Sequence, residues 1–211
     1  MAKFSINRVI KTLIKSDVIF LSAFGLITPI FAVFVTDQIQ GGDVKVVGFA
    51  AAIYWILKSI LQIPISKFLD KTKGEKDDLY FLVIGFFVAA FVPFGYIFST
   101  FPWHIYILEA IYAIGLAMVV PGWYAIFSRH LDKGKEAFEW ALDSTTVGIG
   151  TGITGAVGGI LVSQFGFNMV FVIVGIFALL GALLPLLIRK DIISKGDGYI
   201  RFLGIKKPPF L

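Results

Sequence analysis

Ser66-Lys67-Phe68-Leu69-Asp70-Lys71-Thr72-Lys73-Gly74-Glu75-Lys76 is a short basic junction between two long apolar stretches. About Val44–Leu69 runs up to it, and about Leu79–Ser99 follows it. Each is close to the ~20 apolar residues that a bilayer core requires of a helix. Working outward, the same test finds about Asp17–Ile39, interrupted by Gly25 and Pro29, and then about Trp103–Phe127, Phe138–Phe165 and Asn168–Ile188. The expected fold class is an all-α membrane protein of six transmembrane helices. Composition agrees. Of 211 residues, 57% are hydrophobic and 16% charged, with a mean hydropathy of +0.86. A soluble fold of this length leaves too much surface outside its core to hide that much apolar area.

The connections between the stretches alternate in charge. Gln40-Gly41-Gly42-Asp43, Thr100-Phe101-Pro102 and Gln164-Phe165-Gly166-Phe167 carry no Lys or Arg. The segments 67–78 and 129–135 and both tails are rich in them. Seventeen of the nineteen Lys and Arg residues fall on one side by this count, the exceptions being Lys45 and Lys58. The positive-inside rule then places both termini in the cytoplasm of a multi-pass cell-membrane protein. The net charge of +5 is thereby read as topology rather than as affinity for nucleic acid. Three regions follow: an amphipathic cytoplasmic segment at 1–16, the transmembrane domain at 17–190 and a basic tail at 191–211. In the first, Ile6, Val9, Ile10, Leu13 and Ile14 share a helical face, which suits a helix lying in the membrane interface. A cleavable signal peptide is disfavoured because no clear small-residue cleavage site follows Phe20–Phe34. Trp103, Tyr106, Trp123, Tyr124 and Trp140 stand at span ends and are read as interfacial anchors.

The chain has no cysteine, so no disulfide or thiolate metal site is possible, and His104 and His130 are its only imidazoles. No Ser/His/Asp set, HExxH motif or phosphate loop stands at a site-like position. The chemistry expected is movement rather than bond-making: no enzyme, no cofactor, no metal.

The basic junction resembles a loop motif of the major facilitator superfamily, Gly-x-Leu-Ala-Asp-Arg-x-Gly-Arg-Arg, found between spans 2 and 3 of each half. Asp70 and Lys71 stand for its Asp-Arg pair and Gly74 for its second glycine, with one extra residue before it; Ser66 replaces the first glycine. The resemblance implies a conformational latch, in which a carboxylate caps a helix N-terminus of the facing half. The stretch Gly148-Ile149-Gly150-Thr151-Gly152-Ile153-Thr154-Gly155-Ala156-Val157-Gly158-Gly159 is similar to the family's span-5 pattern Gly-x-x-x-Gly-Pro-x-x-Gly-Gly. Gly150, Gly158 and Gly159 match, and Thr154-Gly155 replaces Gly-Pro. Small residues at i and i+4 let helix backbones approach closely. The family packs span 5 against span 2 of the other half, so this face is a candidate seam; ordinary packing within one subunit is the competing reading. The family's transporters have two such halves. A chain with one half implies a parallel homodimer around a central cavity, with possible 3+3 inverted repeats in each copy. A non-transporting scaffold subunit and, from Thr145-Thr146-Val147-Gly148-Ile149-Gly150, a cation-channel filter are the rival classes.

Ionisable residues within spans are costly and face a cavity or a partner. Three stand out. Glu109 lies on span 4 with Tyr106 and Tyr112 on its face; Lys58 lies on span 2 on a stripe with Tyr54 and Gln62; Asp143 lies near the start of span 5. In the family, spans 1 and 4 line the cavity and spans 2 and 5 form the seam. The resemblance therefore places Glu109, Tyr106 and Tyr112 at the cavity, with Ser22, Gly25, Thr28 and Pro29 of span 1. It makes Lys58, Gln62 and Asp143 seam candidates beside Gly150, Gly158 and Gly159. Glu109 is a candidate proton site or cation ligand, against a structural hydrogen bond. Lys58 is a candidate to pair with Asp143 of a second copy; a pairing within one chain, or with water in the cavity, is the equal alternative. The expected partners are membrane lipid, that second copy and an unidentified small molecule, with protons.

Overall fold

The computed structural model describes residues 6–71 and 74–192. Every regular element among them is helical: α1 (Arg8–Gly25), α2 (Phe31–Gln38), α3 (Val44–Lys71), α4 (Lys76–Tyr96), α5 (Pro102–His130) and α6 (Glu136–Leu183), then a 3-10 turn, Leu184–Ile188. Four segments are long and apolar enough to cross a membrane: α3, α4, α5 and the 57-residue stretch Glu136–Ile192.

The expected first span is met by two shorter helices. α1 stops at Gly25, and residues 26–30 form turns before α2 begins. Pro29 has no N–H to donate there. The carbonyl of Phe24 accepts from Ile27 N at 3.0 Å, Thr28 N at 3.1 Å and the Thr28 hydroxyl at 3.0 Å. The last long stretch is broken at Gly166, whose φ of 77° lies in the left-handed region open to glycine. The chain turns back there. Gly150 abuts Ser22 and Gly158 abuts Leu26, running with α1, whereas Gly181 abuts Phe20, running against it.

The described part of the expected interfacial segment packs on the bundle. Helix α1 begins at Arg8 and continues without a break past Asp17, so nothing separates 8–16 from the bundle. Ile10 and Leu13 are fully buried, and the Ser16 hydroxyl donates to Gly181 O at 2.8 Å. An apolar stripe reports that something covers it; here the cover is the chain's own last helix. Trp123 is likewise no anchor: it is buried and stacked on Phe127 at 4.4 Å. Trp103, Tyr124 and Trp140 are exposed, as an interfacial role requires. Of the expected tail, only Asp191 and Ile192 are among the described residues.

Helix α1 packs on α6, α4 on α5 and α6, and α3 on α5. Gly85 of α4 and Gly115 of α5 face one another across a backbone contact, which fixes that antiparallel crossing. Polar side chains tie the elements at the basic end. Asn7 caps α1 by accepting from Ile10 N at 3.0 Å, and its amide donates to His130 O at 2.6 Å and Asp132 Oδ1 at 3.1 Å. That donation holds the Asp132 carboxyl below its ordinary range. Asp132 N donates to Glu139 of α6 at 3.1 Å, Arg129 pairs with the buried Asp78, and His130 lies 3.6 Å from Glu75.

Candidate functional site

The turn region of α1–α2, with α3, α4 and α5, lines an open cavity of about 210 Å³. Glu109 lines it from α5, seven residues from the helix start, or ~10 Å along the axis. Its side chain is buried, and the Tyr96 hydroxyl of α4 donates to Oε1 at 2.7 Å. A carboxylate out of water needs such a donor or a countercharge. Tyr112 is three residues on, hence on the same helix face. Its ring stacks on Phe24 at 4.7 Å and on Tyr54 of α3 at 5.2 Å. Trp55 completes the α3 side. The Lys58 ammonium stands over these α3 rings, 5.1 Å from the Trp55 centroid and 5.6 Å from that of Tyr54. The arrangement is one buried carboxylate within a wall of aromatic faces, with a tethered cation on two of them.

Of the residues expected at a cavity, Glu109, Tyr112 and Thr28 line this one. Tyr106 is half-buried against the core and does not line it. Ser22, Gly25 and Pro29 do not line it, for a simple geometric reason. They fall at i, i+3 and i+7, on the stripe turned to α6: a Cβ on Gly150 would run into Ser22 Oγ, one on Gly25 into Thr154 Oγ1, and one on Gly155 would lie 3.9 Å from Pro29. Phe24, Thr28 and Phe31 occupy the neighbouring stripe, and that one meets the cavity.

The seam candidates divide. Gly150 and Gly158 make their close approach to α1 of the same chain, so they serve packing within the subunit. Gly159, with Gly148 and Gly152, has nothing within 4 Å of an added Cβ. Lys58 spends its charge on rings of its own helix. Asp143 is buried on α6, one oxygen without a hydrogen-bond partner, and Asp17 of α1 lies within its electrostatic reach. Gln62 and Asp70 line a second cavity of about 390 Å³ between α3 and α5, beside Tyr124 and Arg129 at the basic end. Asp70 and Lys71 are exposed at the end of α3, and Gly74 follows with a φ of 115°. Thr72 and Lys73 of the supposed latch lie outside the described residues.

Sequence reasoning did not single out Tyr96, Phe24, Trp55 or Asp17. Tyr96 had a signal, a polar tip near the end of an otherwise apolar helix, where a buried hydroxyl calls for a partner. The others become site residues only through neighbours distant in sequence.

None of the curated proteins matches the chain. The family model for the Major Facilitator Superfamily matches residues 18–198, which take in every helix from α2 onward and the last part of α1. On that match, with which the apolar helices of membrane-spanning length agree, the chain belongs to the major facilitator superfamily, an integral membrane transporter family.

Proposed function

We propose that this protein is a half-size secondary transporter that works as a parallel homodimer by alternating access, with Glu109 coupling solute movement to protons. In this reading α1 with α2 forms the first of six spans, α6 supplies two on either side of Gly166, and both termini are cytoplasmic. The observation that carries it is Glu109 itself: a buried carboxylate at a cavity, within a helix long and apolar enough to cross a membrane. Such groups are expensive and are kept where they move an ion or hold a ligand.

Two further features support it. Helix α3 buries only Val46, Ala50 and Leu69, while Phe49, Ile56, Ile60 and Ile63 are all at least 60% exposed. That face is free for lipid or a second copy. The packing also has an internal correspondence. Helix α3 lies on α5 as the first part of α6 lies on α1, and α4 runs against α5 as the second part of α6 runs against α1. A 3+3 inverted repeat has that pattern.

Proteoliposomes holding a pH-sensitive dye test the function. A transported solute added outside should move protons in the wild type and not in Glu109→Gln; proton movement unchanged in that variant removes Glu109 from the mechanism. Topology has its own test. A cysteine at Gly41 should label from outside intact cells and one at Gly134 should not, and the reverse pattern inverts the orientation.

A further inference from the structure

We propose that the cavity at Glu109 is a binding site for a small organic cation, and that Lys58 is a tethered competitor for two of its aromatic faces. The site must satisfy a buried carboxylate and several ring faces at once. The negative face of Tyr or Trp attracts a cation lying within about 6 Å of the ring centre. The carboxylate attracts the same charge, and its burial strengthens that attraction. An anion is repelled by Glu109. A sugar needs many donors and acceptors; the Tyr96 hydroxyl already donates to Glu109 and the Thr28 hydroxyl to Phe24 O, which leaves it chiefly the Tyr54 and Tyr112 hydroxyls in a largely aromatic wall. A neutral apolar solute leaves the carboxylate desolvated with nothing gained. A cation with a compact apolar body is the class that complements both.

Size narrows the class. At about 210 Å³ the cavity is below the ~300–1,000 Å³ of pockets for drug-sized ligands, so it fits an alkylated ammonium with one ring rather than a large drug. Lys58 supplies the second, independent observation. Its ammonium already rests on Trp55 and Tyr54, both of which line the cavity. The next residue of its stripe, Gln62, lines the other cavity towards the basic end. Lys58 thus stands between the two cavities, and its charge both occupies the rings and repels a second cation. Displacing it is part of binding.

The inference rests on the transporter reading for its purpose, and a binding measurement separates the two. The probe is radiolabelled phenyltrimethylammonium, titrated onto the full chain in nanodiscs. Glu109→Gln should weaken binding about thirtyfold, since it removes the countercharge. Tyr54→Leu should weaken it about fivefold through the lost ring face. Lys58→Met should tighten it, about threefold to tenfold, a direction that a merely structural lysine does not produce. Excess glucose should displace nothing. The proposal is overturned if Glu109→Gln binds as tightly as the wild type, if Lys58→Met leaves affinity unchanged or lowers it, or if glucose displaces the probe. If Glu109→Gln does not fold, the opposite signs of Tyr54→Leu and Lys58→Met, both on the little-buried α3, still decide. Binding in this pattern without flux in proteoliposomes removes the transporter and keeps the site. Flux of another solute without probe binding does the reverse.

Discussion

At the basic end of the bundle side chains make the joints: Asn7 to His130 and Asp132, Arg129 to Asp78, His130 to Glu75, Arg8 to Asp191. At the other end the backbone supplies the donors. Gln40 N donates to Thr100 O at 2.9 Å, and the His104 ring accepts from Thr100 N and Phe101 N at 3.1 and 3.2 Å. Between the ends lies the cavity, with one carboxylate and one phenol donor. The difference separates two kinds of polar residue. Those at the basic end link helices distant in sequence and hold the subunit as one body. In the proposed dimer, movement then falls between copies rather than inside one. The Glu109 carboxylate, held by one hydrogen bond from Tyr96, contributes little to that body, although the rings around it pack on the core. Mutations should sort accordingly, with the largest effects on folding far from the site.

The strongest break is at the α1–α6 contact. A Cβ on Gly158 runs into the Leu26 carbonyl, a backbone atom that has no rotamer to yield. Gly158→Leu should cost about 3 kcal/mol by overpacking and abolish a monodisperse peak on size exclusion. Gly159→Leu, one residue on and with open space around it, should leave the subunit folded and, if that face is the seam, reduce the dimer fraction in nanodiscs. Equal damage by both would mean that the two sides of the helix are not distinct.

That pair also marks the limit of what the sequence made legible. The glycine spacing announced a close approach, and one exists. Spacing carries no information on which helix approaches, so the face read as a seam is half internal. The break at Gly25 and Pro29 and the turn at Gly166 were readable because glycine and proline act on the local backbone. Glu109 and Tyr112 were readable because charge and ring recur on one helix face. Phe24, Tyr54 and Tyr96 reach that face from three other elements, and no local pattern encodes such meetings. The stripe at 6–14 was visible, but an apolar stripe is the same whether lipid or protein covers it.

Next comes Asp78, which is 1% exposed and pairs with Arg129. Removing one partner of a fully buried pair costs about 3–5 kcal/mol. The Arg129 side chain is 40% exposed and can turn to water, so Asp78→Ala should cost about 2 kcal/mol. A lowered thermal midpoint in detergent, with cation binding retained at the cavity, is the expected result. Loss of binding at an unchanged midpoint would join the two regions that the comparison separates.

A smaller effect belongs to Asp132, whose carboxyl is held below its ordinary value of 3.8 by the Asn7 amide. A carboxyl with a depressed folded pKa stabilises the fold at pH values above its unfolded pKa, and that contribution disappears as pH falls through the folded value. Acidification below about pH 4 should therefore loosen the start of α1, seen as faster amide exchange at residues 8–16. Asp132→Asn should already show part of that loosening at neutral pH and add little on acidification. An acid response identical to the wild type would take Asp132 out of the linkage.

The smallest effect on folding should come from Glu109, the residue proposed to couple transport. Glu109→Gln keeps the shape of the side chain and an amide oxygen that can accept from Tyr96, whose hydroxyl lies 2.7 Å from the present carboxylate. A charged acceptor becomes a neutral one, a loss of about 1 kcal/mol in that bond. Against it, a buried charge that is costly to desolvate is removed. The two terms oppose each other, so the thermal midpoint should move by no more than a few degrees and in either direction. Solute-driven proton movement should nevertheless disappear. Tyr96→Phe is the sharper control, because it keeps the charge and removes the donor. It should destabilise more than Glu109→Gln while leaving proton movement measurable. If Glu109→Gln instead unfolds the protein and Tyr96→Phe does not, the carboxylate is part of the scaffold, and the cavity no longer differs in kind from the basic end.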